Sequence, residues 1–122
     1  DPTHPFLRRK APRIKVAGSW SVRLSAEGHH IPHIHHQGWM SSAYYARLPA
    51  TLAAPGAAVD GDRQGWIQFG APPPSLGLDL APRRLVEPRP GRLVLFPSYL
   101  WHGTVPFDSG DRLTAAFDFL PH

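Results

Sequence analysis

At 122 residues with a formal net charge of +4, the chain has room for one hydrophobic core and none for a second domain. Hydrophobic residues make up 42% and charged residues 18%, which excludes the polar, charge-rich composition of a disordered chain. Cysteine is absent, so disulfides and thiolate metal sites are excluded and histidine is left as the soft ligand. The 15 prolines and 11 glycines favour many short strands joined by turns, because each proline removes a backbone donor.

Taken in order, the chain opens on Asp1 rather than methionine, from which an upstream portion carrying any targeting signal is expected. Residues 1–18 are proline-rich and basic and read as an extended lead-in segment; residues 19–122 read as a single β domain. Trp20 to Leu24 alternates apolar and polar side chains, the period-2 mark of a half-buried strand. Short strands are expected at 33–35 and 42–48, separated by a turn at Gln37-Gly38. Residues 49–64, with Pro49, Pro55, Gly56 and Asp60-Gly61, read as an exposed loop that could serve as a lid. Strand character resumes at Trp66 to Phe69, lapses through a proline-rich loop at 70–82, and returns briefly at Leu85 to Glu87. Arg92 to Phe96 is a continuous apolar run, the pattern of a strand buried on both faces. Arg112 to Phe119 is the last strand. Seven or eight short strands point to an all-β sandwich or jelly roll.

The densest chemical signal is GHHIPHIHHQGW at residues 28–39, which holds five of the eight histidines. His33 and His35 stand two apart, and residues i and i+2 of an extended chain face the same way, so both rings can address one metal ion. A polar loop would also accommodate such a cluster, but this one is interleaved with Ile31, Ile34 and Trp39. A third ligand must come from a distant strand. His102 is the candidate, since it follows the apolar run LVLFPSYLW, where a lone imidazole needs partners for its nitrogens. A satisfied core histidine is the competing role. His29 and His30 stay unassigned; as neighbours on an extended chain they face opposite ways, so at most one can join the cluster.

The final strand puts Arg112, Thr114, Ala116 and Asp118 on one face and Leu113, Ala115, Phe117 and Phe119 on the other. If the polar face lines the interior, Arg112 offers a guanidinium fork for a carboxylate and Thr114 a hydroxyl beside it. If it faces water, neither residue needs a special role. Tyr44, Tyr45, Trp39 and Trp66 are candidate pocket walls, with core packing as the alternative for each.

The blocks SWSVRL (19–24), HIHHQGW (33–39), SAYYARLP (42–49), GWIQFG (65–70), GRLVLFPSYLWHGTVPF (91–107) and DRLTAAFDF (111–119) together resemble the 2-oxoglutarate- and Fe(II)-dependent oxygenases. They span nearly the whole chain beyond residue 18, and the ten-residue step from His102 to the Arg112-X-Thr114 element makes the match more specific than any single motif. The resemblance implies a double-stranded β-helix (a cupin-like jelly roll) and a hydroxylase that couples oxidative decarboxylation of 2-oxoglutarate to C–H oxidation. It implies Fe(II) held by His33, His35 and His102 as the catalytic centre, dioxygen as second substrate, and Arg112, Thr114 and Tyr44 as the cosubstrate-binding set. Across the wider superfamily the position two after the first histidine is usually an aspartate or glutamate, whereas this chain has His35; Glu27, Asp60 or Asp62 would complete the site if His35 faced away. His36 and Ser42 also depart from the proline and glycine of nearer relatives.

Two other readings share the triad: a three-histidine cupin dioxygenase that needs no 2-oxoglutarate, and a non-catalytic jelly-roll module holding a ligand or a structural zinc. The expected partner is a substrate of unidentified structure, either a small molecule or a protein side chain. The basic residues are scattered rather than striped, so nucleic acid is not expected, and no stretch approaches the roughly 18 apolar residues of a membrane span. The chain is therefore read as soluble and cytoplasmic, while its oligomeric state is not legible.

Overall fold

The computed structural model describes residues 1–26, 30–53 and 62–122. Among the described residues seven strands form two antiparallel sheets. The larger contains β1 (Ile14–Ser25), β2 (Met40–Arg47), β5 (Leu93–Pro97) and β7 (Asp111–Pro121) in the order β1-β7-β2-β5. The smaller contains β3 (Ile67–Phe69), β4 (Arg84–Val86) and β6 (His102–Thr104) in the order β4-β3-β6. The chain lays β1 and β2 in the larger sheet and β3 and β4 in the smaller, then crosses between the two with β5, β6 and β7, and the sheets close on one another as a double-stranded β-helix, the architecture expected from the sequence. The only α-helical element among the described residues is one turn at Ala50–Ala53.

The sheets meet through Ile67 and Phe69 of β3 and Phe96 of β5, with the Phe69 and Phe96 ring centroids 5.0 Å apart. This apolar plug is small and lies toward one side of the interior. Elsewhere the inner face of the larger sheet mixes polar and small side chains with Trp20, Val22 and Tyr45. β7, paired along both edges with β1 and β2, turns Arg112, Thr114 and Asp118 inward as buried residues. Between them, Ala116 of β7 stands opposite Ala43 of β2. That pair of methyl groups leaves the middle of the interior unfilled, and a cavity of about 520 Å³ occupies it.

Four local readings are corrected. The run 92–96 is not buried on both faces: β5 is an edge strand, Leu93 and Leu95 are each 53% exposed, and only Val94 and Phe96 turn toward the core. An uninterrupted apolar run carries no period, so it cannot separate one-faced from two-faced burial. Residues 33–35 form no strand; His33 makes a single antiparallel bridge to His102. β6 was not expected as a strand, because three residues centred on glycine carry no pattern. Strand β1 begins at Ile14, within the stretch read as lead-in. From the rest of that stretch, Phe6 stacks on Trp39 at 4.6 Å and its carbonyl accepts the indole N–H at 2.9 Å.

Candidate metal and cosubstrate site

The bridge between residues 33 and 102 creates the centre of the site. The amide of each donates to the carbonyl of the other, at 3.0 and 3.1 Å, so the two side chains stand directly opposite on one face. Close approach of residues 30–32 to β6 depends on Gly103, where a Cβ would lie 2.6 Å from the His30 carbonyl oxygen. His35 is fixed by its own amide, which donates to the Ser98 carbonyl at 2.9 Å. The three rings converge: centroids lie 4.4 Å apart for His33 and His102, 5.0 Å for His35 and His102, and 5.2 Å for His33 and His35. One ring nitrogen from each lies within 4.8 Å of the others.

Each imidazole has its Nδ1 engaged on the side away from this convergence. His33 Nδ1 lies 2.9 Å from the Ile31 carbonyl and His102 Nδ1 lies 3.0 Å from the Leu100 carbonyl. His35 Nδ1 lies 2.8 Å from both carboxylate oxygens of Asp118. All three partners are acceptors, so each Nδ1 carries the proton and each Nε2 is left as a lone-pair donor, the tautomer a metal requires. His102 is buried, and its desolvation lowers its pKa from 6.5 to about 4, despite the opposing hydrogen bond to Leu100. Its ring is therefore neutral throughout the physiological range. Three imidazoles make a donor set suited to Fe(II), so the residues present fit such an ion.

Elsewhere on the same cavity wall lies Arg112, only 3% exposed. Its guanidinium donates to the Gly65 carbonyl and to Thr104 Oγ1, both at 3.0 Å, and lies 5.6 Å from the Tyr45 ring centroid. Its Nε has no hydrogen-bond partner. No carboxylate pairs with it among the described residues, and burial lowers its pKa, opposed by Tyr45. Burial likewise raises the Tyr45 phenol, with Arg112 and Arg92 opposing. An unbalanced interior cation of this kind calls for an anion. Thr114, buried beside it on β7, also lines the cavity.

Tyr44 does not join this set. It is 39% exposed on the outer face, while Tyr45 lines the cavity at 1% exposure. Adjacent residues on a strand point to opposite faces, and the doublet gave no indication of which tyrosine turned inward. Trp39 and Trp66 do not line the cavity either, whereas Trp20 does. Asp62 bonds the Gln64 side chain at 3.0 Å rather than the triad; Glu27, His29, Asp60 and half of the loop read as a lid lie outside the described residues. His30 lines the cavity, its ring 6.1 Å from that of His33. The sequence placed Asp118 on the face of Arg112 but gave it no role, and it gave none to Ser41, Ser98 or Thr104.

A family model described as "Putative 2OG-Fe(II) oxygenase" matches residues 18–118. No curated protein matches the chain in sequence. Among solved structures, an oxidoreductase of the 2OG-Fe(II) oxygenase family from Burkholderia pseudomallei superposes with a TM-score of 0.63 at 12% identity, over 90% of this chain and 46% of that one. A prolyl-4-hydroxylase from Pseudomonas putida gives 0.60 at 18% identity, over 85% and 51%. HygX from Streptomyces hygroscopicus, solved with nickel and 2-oxoglutarate bound, gives 0.61 at 14% identity, over 94% and 61%. The likeness is one of fold. The chain spans about half the length of the first two of these proteins and 61% of HygX.

Proposed function

The chain belongs to the putative 2OG-Fe(II) oxygenase family, and on that premise we propose that it is a 2-oxoglutarate- and Fe(II)-dependent dioxygenase acting as a hydroxylase. The observation that carries the reading is the pairing, in one cavity, of three converging imidazoles whose Nδ1 atoms are engaged elsewhere and a buried guanidinium lacking a counter-charge among the described residues. His33, His35 and His102 hold the iron. Three neutral ligands leave it with its full +2 charge, which the 2-oxoglutarate dianion balances. Arg112 takes the far carboxylate of that dianion, with Thr114 and Thr104 beside it and the Tyr45 ring packed against the guanidinium. Phe96, Ile67 and Val22 line the same space and limit the water that reaches the reacting centre. When bound, iron with 2-oxoglutarate supplies the dioxygen activation that couples oxidative decarboxylation to C–H oxidation.

The cavity volume of about 520 Å³ falls within the range typical of small-molecule sites, which supports a small-molecule acceptor over a protein side chain. HygX, solved with hygromycin B bound, offers a precedent for a small-molecule ligand in a protein of similar fold. No helix among the described residues is long and apolar enough to cross a membrane, and the setting this reading implies is the cytoplasm, where 2-oxoglutarate and ferrous iron are at hand. A cupin dioxygenase without 2-oxoglutarate would share the triad but leaves the buried Arg112 unexplained.

The test is succinate release from 2-oxoglutarate by the purified chain with Fe(II), dioxygen and a metabolite panel. Release above background in the wild type and its loss in His102→Ala are expected. Turnover of a panel member without 2-oxoglutarate would favour the cupin dioxygenase instead.

A further inference from the structure

Behind the His35 ring stands a carboxylate, that of Asp118. Asp118 is the only acidic side chain lining the cavity among the described residues. Both its oxygens lie 2.8 Å from His35 Nδ1, and Ser41 Oγ donates to Oδ1 at 2.7 Å. Ser41 stands directly opposite Asp118 in the β2–β7 ladder, and its own oxygen lies 2.7 Å from Ser98 Oγ. With the Ser41 proton committed to Asp118, Ser98 donates to Ser41, so the hydroxyls form a one-way relay of donors ending on the carboxylate.

Ser41 and Ser98 are fully buried and Asp118 is 8% exposed. Burying two hydroxyls and a charge is costly without complete partnering, and this arrangement provides it. The turn above it is shaped to fit: a Cβ on Gly38 would lie 2.3 Å from Ser98 Oγ and 3.5 Å from Asp118 Cγ. By contrast, His33 and His102 rest on plain backbone carbonyls. Of the three rings, His35 alone is backed by a charged group.

We propose that Asp118 is the positioning residue that restores, through His35, the negative charge a direct carboxylate ligand would have supplied. Seated by Ser41 and Ser98, its carboxylate holds the His35 Nδ1–H in place, keeps Nε2 turned to the metal, and makes that imidazole a stronger donor than the other two. The inference rests on the proposed iron-binding role of the triad.

The test uses Co(II) as the probe, with affinity measured by competition against a chromophoric chelator and the visible ligand-field spectrum recorded alongside. Asp118→Asn, which keeps the shape and removes the charge, should weaken Co(II) binding by about 10- to 100-fold and shift the spectrum. Ser41→Ala, which keeps the carboxylate but loosens it, should give a smaller loss of the same kind and serves if the first variant does not fold. In a His35→Asp background, where the charge sits on the metal directly, the Asp118→Asn change should alter affinity by less than about twofold, a coupling that a purely structural role would not produce. An equal loss in both backgrounds, or native-like affinity in a folded Asp118→Asn protein, overturns the inference alone. A wild-type chain that binds no Co(II) overturns the proposed function and takes this inference with it.

Discussion

The two polar regions of the cavity handle charge in opposite ways. At the triad, the interior carboxylate of Asp118 is fully partnered, and three imidazoles present lone pairs. Around Arg112, a buried cation meets only a carbonyl, a hydroxyl and a ring face, with its Nε left over. One region is prepared for a cation and the other for an anion. On the proposed reading the inner face of β7 is a binding surface, which accounts for how little of the interior is packed with apolar side chains beyond the cluster around Ile67, Phe69 and Phe96. An uncompensated buried charge costs on the order of several kcal/mol, a cost that the proposed dianion would relieve at Arg112.

The sharpest way to break this contrast is Arg112→Met, which removes the cation and keeps most of the volume. Losing two charge-assisted hydrogen bonds to a carboxylate should raise the KM for 2-oxoglutarate by about 100-fold or more. The thermal midpoint of the cosubstrate-free protein should hold or rise, since a buried unbalanced charge has gone. An unchanged KM, or a variant that unfolds, would mean that Arg112 is a structural residue.

Acid titration probes the triad. Because the folded pKa of His102 lies at about 4, below its ordinary 6.5, the unfolded chain takes up this proton first. The contribution of His102 to stability is therefore intact above about pH 6.5 and is lost as the pH falls toward 4, amounting to roughly 3 kcal/mol for this group alone. Urea melts of the metal-free protein between pH 7.5 and 4.5 should show that loss, and His102→Phe should flatten it. A slope of the opposite sign would contradict the burial of a neutral ring.

The smallest effect separates the two faces of β2. Tyr44→Ser on the exposed face should change stability by no more than about 0.5 kcal/mol and leave turnover intact. Tyr45→Ala, beside the guanidinium, should cost about 3 to 5 kcal/mol by cavity formation alone. Comparable losses at both positions, read by thermal melts and succinate release, would erase the distinction between inside and outside.

How far the sequence reached follows from the same geometry. Histidines two apart in an extended segment, and the eight-residue alternation of β7, declared which side chains share a face, so the grouping of His33 with His35 and of Arg112 with Thr114 and Asp118 was legible, while the alternation left open whether that face of β7 turned inward or to water. Register was not. Whether Tyr44 or Tyr45 turned inward, and that Ser41 would face Asp118, depends on how β2 lies against β7, which periodicity within one strand cannot fix. The exposed Leu93 and Leu95 were hidden for the complementary reason, since an apolar run looks alike whether one face is covered or two.

The central claim is that one ferrous ion and one 2-oxoglutarate occupy this cavity together, each dependent on its own region. Anaerobic titration of the purified chain with Fe(II) and 2-oxoglutarate measures it directly through the weak visible charge-transfer band of the iron-bound keto acid. The band should saturate at about one equivalent of each, vanish in His102→Ala, and require far more 2-oxoglutarate in Arg112→Met. A wild-type chain that binds iron yet never develops the band would contradict the account.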